Sequence, residues 1–309
     1  MDKKTVAVIL ITYNQEQYVA QTVDSLISQK CDFSFKIFAN DDCSKDGTPD
    51  ILKEYAIRYP GLIDLQINQN NLGIVGNYFN AINRSDSDYI AVCAGDDWWC
   101  DEYKLQKQVD FMHEHPECGM LYTGYKQYMD GKYVGMPLVE RKDFEDIVTN
   151  GNMVPAVTMF MRRELVKQYQ NEIHPLEHDW GMEDQPLILW FSLNSKIMCI
   201  PDVTAVYRIA EGSTYRSSLE KLIAFSLRSY NLFLYFIQLS HKENLLKTIQ
   251  RRHVSTMVYR YIIHNEPVDI SVCHKVGRIR DCGFKMMLYT LLSHCQATRR
   301  ILYKHITKQ

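Results

Sequence analysis

An apolar run within Asp88 to Trp99 ends in two adjacent carboxylates, Asp96 and Asp97, introduced by Gly95. Ile90 to Cys93 predicts a buried strand. Carboxylates at the end of such a strand, where side chains need not pack against a core, suit a hard divalent cation that keeps positions open for phosphate oxygens. The chemistry implied is metal plus diphosphate. A polar turn capping the helix that begins near Asp101 would use the same residue types, so the tripeptide alone leaves both readings open. A second acidic pair, Glu183-Asp184, precedes the apolar stretch Leu187 to Leu193. Its place predicts a helix N-terminus, where a carboxylate can simply favour the helix dipole.

These acids need a scaffold, and the first 115 or so residues alternate strand and helix patterns. Val6 to Ile11 is a continuous apolar, largely β-branched run, the pattern of a strand covered on both faces in a parallel sheet. After Thr12-Tyr13-Asn14-Gln15, apolar residues at Val19, Val23, Leu26 and Ile27 predict a helix. Phe35 to Ala39 predicts a second strand, ending in Asn40-Asp41-Asp42-Cys43-Ser44. Thr48 is placed to cap the next helix, with Pro49 at its first position. A third strand at Leu62 to Ile67 and a helix through Tyr78, Phe79 and Ile82 lead to the Asp96-Asp97 strand, then to a helix that stops before Pro116. Strands are further expected at Gly119 to Thr123, Ala156 to Met161, Lys196 to Ile200 and Val203 to Tyr207.

This alternation predicts an α/β domain with an open, mainly parallel sheet flanked by helices, spanning 1–216, and a helical C-terminal appendage spanning 217–309. Ligands of such sheets sit beyond the carboxyl ends of the strands. That rule puts Thr12 to Asn14, Asp41-Asp42 and Asp96-Asp97 on one crevice. The first strand runs into Thr-Tyr-Asn-Gln without G-x-G-x-x-G, which disfavours a dinucleotide-binding dehydrogenase, and no Walker sequence is present. A diphosphate would then be held mainly through a metal.

A formal charge of −2 over 309 residues argues against a nucleic-acid partner. Nine cysteines without a C-x-x-C pair, and an N-terminal apolar run too short for a signal peptide, predict reduced thiols and a cytoplasmic location. No window of about eighteen apolar residues offers a membrane span; Phe225 to Leu239 comes nearest and is interrupted by Arg228 and Asn231. Near the end, Phe284, Met287, Leu288, Leu291 and Leu292 form an apolar face, followed by Arg299, Arg300, Lys304 and Lys308. Two readings stand: a basic amphipathic helix giving peripheral contact with the inner face of the plasma membrane, or the same face packed on Tyr259, Ile262 and Ile263 with a solvated basic edge.

Taken in order, Val8 to Asn14, Asn40 to Thr48, Asn71-Leu-Gly73, Gly95 to Trp99 and Glu183-Asp184 resemble the family 2 glycosyltransferases of the GT-A fold, over roughly residues 4 to 216. The resemblance implies that Thr12, Tyr13, Asn14, Asp41 and Asp42 hold the nucleotide, with Asp96 beside them. It implies that Asp96 and Asp97 bind a divalent cation, manganese or magnesium, with the sugar diphosphate. It implies that Asp184, flanked by Glu183, is the general base. Ala94 stands where many relatives carry an acid, and Gly76 where a common version has arginine, which passes the phosphate's cation to Arg208 or Arg216. Q-x-x-R-W and membrane helices of processive synthases are missing, which favours a single-sugar transferase.

The expected activity is therefore an inverting, metal-dependent transfer of one sugar from a nucleotide sugar, uridine-linked by preference. The acceptor would be a glycan or lipid-linked glycan of the cell surface. Two alternatives belong to other classes: a catalytically silent sugar-nucleotide-binding or scaffold protein of the same fold, and a nucleotidyltransferase.

Overall fold

The computed structural model describes residues 5–136, 138–141, 143–151, 154–210 and 218–307. The chain divides into two compact units, one of Met1–Ile147 with Asn152–Ala210, the other of Val148–Gly151 with Glu211–Gln309. The division expected at residue 216 falls within 211–217, outside the described residues.

The first unit opens with β1 (Thr5–Thr12), α1 (Val19–Ile27), β2 (Ser34–Asp41), α2 (Thr48–Arg58), β3 (Ile63–Ile67), α3 (Gly73–Arg84) and β4 (Tyr89–Ala94). It continues through β5 (Trp98–Trp99), α4 (Lys104–Glu114), β6 (Cys118–Met129), β7 (Lys132–Gly135), α5 (Phe144–Asn150), whose last residues fall in the second unit, β8 (Phe160–Arg162), α6 (Arg163–Ile173), α7 (Asp184–Asn194) and β9 (Lys196–Arg208). The sheet order is β3-β2-β1-β4-β8-β6-β9-β5, with β7 on β6. The first four strands are parallel.

β1 reads as an unbroken apolar run because it lies inside the sheet: Val6 to Leu10 are all 2% exposed or less. One side chain set, Val6, Val8 and Leu10, joins Val19, Val23 and Leu26 of α1 and Ile37 of β2 in a single core. Burying each such side chain contributes roughly 1.5–3 kcal/mol. The parallel register pairs Thr12 with Asp41 and Ile11 with Ala94. Residues singled out for their chemistry thus leave the sheet side by side.

Beyond β4 the sheet is mixed, β8 running antiparallel to both β4 and β6. Ala156 to Met161, expected as one strand, starts instead as a 3-10 turn over Ala156–Thr158. Pro155 precedes it, and the Thr158 N–H and hydroxyl both donate to the Pro155 carbonyl, so only Phe160–Arg162 pairs as strand. Conversely, the two short strands expected at 196–200 and 203–207 are the single strand β9, bulged where Pro201 and Asp202 drop out of register opposite Thr123 and Gly124. Proline has no N–H to give the ladder there. Thr48 is not the cap of α2: it is the first helical residue, and its N–H donates to Asp46 Oδ1 at 3.0 Å.

The second unit contains α8 (Leu219–Leu239), α9 (Leu246–Ile263), α10 (Ile270–His274), α11 (Phe284–Ser293) and α12 (Gln296–Ile306). Although no unbroken apolar window was expected, α8 is long and apolar enough to cross a bilayer by length and composition. It buries Leu222, Leu232, Phe233, Phe236 and Ile237 and packs on α9, as a core helix does.

Candidate functional site

The loops that follow β1 and β2 are stitched together by side chains. Asn14 and Cys43 hold left-handed backbone, φ 53° and 62°, which few non-glycine residues adopt. Asn14 earns this conformation twice over: its N–H donates to Ser44 Oγ at 2.8 Å and its Oδ1 accepts the Lys45 N–H at 2.8 Å. Asn14 thereby braces the two loops against each other. Tyr13 beside it is 50% exposed, which suits an aromatic face for a base.

Asp41 is fully buried and both of its carboxylate oxygens are partnered, Oδ2 only once. The Thr12 hydroxyl donates to its Oδ1 at 2.9 Å, the Ser44 hydroxyl to the same oxygen at 2.5 Å, and the Ser44 N–H to Oδ2 at 2.9 Å. Such charge-assisted bonds are what allow a carboxylate to stay inside. Asp42, also buried, is turned the other way: its Oδ1 accepts the Asn68 amide at 3.1 Å and the Leu72 N–H at 2.8 Å. Asp42 thereby fastens β2 to the start of α3.

The Asp96-Asp97 turn lies directly over the first loop. The Gly95 N–H donates to Ile11 O at 3.0 Å, and a Cβ on Gly95 would meet Thr12 Cγ2 at 2.6 Å; only glycine fits between the two loops. Both tryptophans anchor the turn from behind. The Trp99 N–H donates to Ser25 Oγ at 3.0 Å and its indole N–H to Val157 O at 3.2 Å, while the buried Lys104 ammonium sits 4.3 Å from its ring. The segment is a turn, the Asp97 N–H donating to Ala94 O at 3.1 Å, but neither carboxylate caps α4, which has no side-chain cap bond.

Asp97 is 3% exposed, and its Oδ1 accepts the Arg208 backbone N–H at 2.8 Å. Burial pushes the Asp96 and Asp97 carboxyls above the ordinary range, and the charge of Asp96 pushes Asp97 further. Among the described residues the guanidinium at hand, that of Arg208, is already committed. Arg208 Nε donates to the Asp96 carbonyl at 2.8 Å and Nη2 to Gln21 Oε1 at 2.6 Å, with its plane among the rings of Tyr18, Trp98 and Tyr128, 4.6, 4.6 and 5.3 Å away. Arg208 was expected on phosphate; here it locks the acidic turn to the end of β9. Arg216, its expected alternative, lies outside the described residues. Tyr18, Gln21 and Tyr128 were not anticipated, because nothing in local sequence links them to residues 80 to 190 positions away.

Glu183 is the N-cap residue of α7 and Asp184 lies in its first turn, as expected, though Glu183 makes no side-chain cap bond. Asp184 Oδ1 accepts the Gln185 N–H at 2.6 Å. Burial, then the neighbouring Asp184 charge, raises the Glu183 carboxyl to about 8, and burial raises Asp184 as well. The buried Tyr78 phenol of α3 is pushed up by burial and then by both of these carboxylates. A raised, paired carboxyl of this kind is able to take a proton near neutral pH.

Asp96 and Asp97 fit a hard divalent cation. They supply oxygen donors, their charge repels itself in a desolvated place, and Arg208 spends its hydrogen bonds on neutral oxygens. Among the described residues no third His, Cys, Asp or Glu joins them, so the remaining coordination would come from substrate oxygens and water.

An open α/β sheet with acids gathered at the carboxyl ends of β2 and β4, beside the loop after β1, together with a largely buried acidic pair at α7, is the architecture called GT-A. Residues 7–170 match the profile of glycosyl transferase family 2, more than half of the chain, and the chain belongs to that family. An uncharacterized protein of Mycobacterium tuberculosis is 31% identical over 209 residues, 65% of this chain and 58% of its own length. The matched part is thus about three fifths of that relative. The putative teichuronic acid biosynthesis glycosyltransferase TuaG of Bacillus subtilis is 32% identical over 54% of this chain and 66% of its own. In fold, the chain is similar to residues 1–349 of S. aureus TarS in complex with UDP-GlcNAc, with a TM-score of 0.58, 17% identity and coverage of 98% and 92% of the two chains. It is also similar to the mannosyltransferase PcManGT of Pyrobaculum calidifontis in complex with GDP-Man and Mn2+, with a TM-score of 0.59, 14% identity and coverage of 97% and 87%.

Proposed function

We propose that this glycosyltransferase moves one sugar from a uridine-linked nucleotide sugar to a glycan or lipid-linked glycan of the cell surface, inverting the anomeric centre. The observation that carries the reading is that the chain holds two acidic pairs in different surroundings. One pair, Asp96-Asp97, sits with the loops of β1 and β2; the other, Glu183-Asp184, sits against α3 with its carboxyls raised by burial. The relatives support the biology: TuaG is described with teichuronic acid, and TarS and PcManGT carry UDP-GlcNAc and GDP-Man.

Tyr13 would lie against the base, and Asp41, held by Thr12 and Ser44, would accept from its N–H. Asp96 and Asp97 would hold manganese or magnesium, which neutralises charge developing on the departing diphosphate. Asp184 takes the proton of the acceptor hydroxyl as its oxygen bonds to the anomeric carbon. The bond from that carbon to the diphosphate oxygen breaks at the opposite face, its electron pair leaving with the diphosphate. Glu183, holding its proton near neutral pH, leaves the pair with one charge instead of two.

The test is a panel of UDP-, GDP- and dTDP-sugars incubated with the full chain and manganese while nucleoside diphosphate release is followed. Release of UDP that stops on chelation supports the proposal. Tight donor binding without release, with or without acceptors, would make the chain a silent binder; pyrophosphate released from a nucleoside triphosphate and a sugar phosphate would make it a nucleotidyltransferase. In the active case Asp184→Asn should lower turnover by roughly 10²–10⁴-fold and leave UDP affinity within about twofold, since its work falls in the transition state. Equal losses in both would make Asp184 a structural residue.

A further inference from the structure

The second unit carries an apolar stripe and a cationic cleft next to each other in the chain. α11 buries Met286, Tyr289, Thr290 and Ser293, with Tyr289 edge-on to Tyr259 of α9. Its other face presents Phe284, Met287, Leu288 and Leu291, exposed by 77, 47, 37 and 71%. These positions follow i, i+3, i+4, i+7, so they form one stripe. Single exposed apolar residues are ordinary, but four large ones in a row on one helix mark a contact surface. Of the face named from the sequence, these four residues are exposed and Leu292 is half-buried, while α11 meets α9 through its opposite side.

Immediately before the stripe, Gly283, at φ 91°, turns the chain out of a cleft of about 200 Å³. Lys247, Arg251 and Val254 of α9 line one wall of it, and Arg278, Asp281 and Cys282 the other. Arg278 pairs with Asp281 at 3.0 Å; among the described residues no carboxylate pairs with Lys247 or Arg251. The surrounding segment is one-sided in charge: Lys275, Arg280, Lys285, Arg299, Arg300 and Lys304 join Arg278 against the single acid Asp281. A symmetric dimer through this stripe would bring the same cations face to face. An anionic surface would complement them.

We propose that the second unit docks on an anionic phospholipid bilayer. α11 lies in the plane of the interface with Phe284, Met287, Leu288 and Leu291 below the headgroups, and the cleft of Lys247, Arg251 and Arg278 takes a lipid phosphate. Docking needs neither donor nor acceptor, so it stands or falls apart from the transferase reading.

The full chain is floated with vesicles of phosphatidylcholine alone and of phosphatidylcholine with phosphatidylglycerol, at low and high salt, and its oligomeric state is measured by light scattering. The expected result is binding to the anionic vesicles only, weakened by salt. It should fall by about tenfold or more in Phe284→Ser/Leu291→Ser and in Lys247→Glu/Arg251→Glu, all exposed or cleft-lining positions whose folding is checked by circular dichroism. Absence of binding by the unaltered chain overturns the proposal. So does binding that both double variants retain. A dimer of the unaltered chain that Phe284→Ser/Leu291→Ser splits, with no vesicle binding, would assign the stripe to a second copy and also overturn it.

Discussion

Asp97 carries two duties on one carboxylate. Its charge belongs to the acidic turn, while its Oδ1 satisfies the Arg208 N–H inside the protein. Truncation to alanine would orphan that N–H, at a cost of about 1–3 kcal/mol, and so would confuse folding with chemistry; the sequence alone, which placed Asp97 outside the core, hid this. Asp97→Asn keeps an acceptor oxygen and removes the charge. It should fold with cooperative melting intact and lose manganese-stimulated UDP-sugar binding by on the order of tenfold or more, read by calorimetry with and without the metal. Unchanged affinity would take Asp97 out of the site. Glu183 permits a different experiment. Its carboxyl is raised from an ordinary 4.5 to about 8, so the folded state keeps a proton that the unfolded chain releases between those values. The stability linked to that proton is fully present below about pH 4.5 and is lost as pH rises through about 8. Glu183→Gln, which cannot ionise, should therefore gain in melting temperature relative to the unaltered protein as pH is raised from 5 to 8. Parallel melting curves across that window would show that the carboxyl is not raised.

At the scale of elements, the crevice depends on how closely the turn after β4 rides on the loop after β1. Gly95→Ala must push Thr12 or Gln15 aside, and overpacking of this kind costs about 1–3 kcal/mol. We expect a lower melting temperature and weaker donor binding together; a variant with unaltered stability would mean the loops have slack. The parallel half of the sheet was legible from residues because β1 and β4 are covered on both faces and apolar nearly throughout, and β2 is so from Ile37 to Ala39. Past β4 the signal thins. β8 is three residues long behind a proline-led turn, and β9 carries Pro201 within it, so run length and composition misplace both. The acids of the site were legible as types and positions. What they do to one another was not: Asn14 and Asp42 serve as braces, and the Arg208 guanidinium rests among Tyr18, Trp98 and Tyr128, contacts that only the tertiary fold creates.

For the molecule as a whole, the segment that defines the family ends before the site does. The profile match stops at residue 170, yet α7 supplies Glu183 and Asp184, and β9 pairs along β6 from Cys118 to Tyr128 and closes on Asp97 through Arg208. A chain ending at residue 173 would leave that long edge of β6 unpaired. It should show no cooperative thermal transition by circular dichroism where the full chain does; a sharp transition in the shortened chain would make β9 an accessory strand.

The cationic segment of the second unit has a consequence for how the protein behaves as a colloid. From residue 218 to 307 there are 14 Lys and Arg and 5 Asp and Glu, while the entire chain is formally −2, so its acidity is concentrated in the sheet unit. Near-neutral net charge normally invites self-association. Here it conceals two bodies of opposite sign, so an isoelectric point near 6.6 describes neither of them, and adsorption to a charged matrix will follow the unit that faces it.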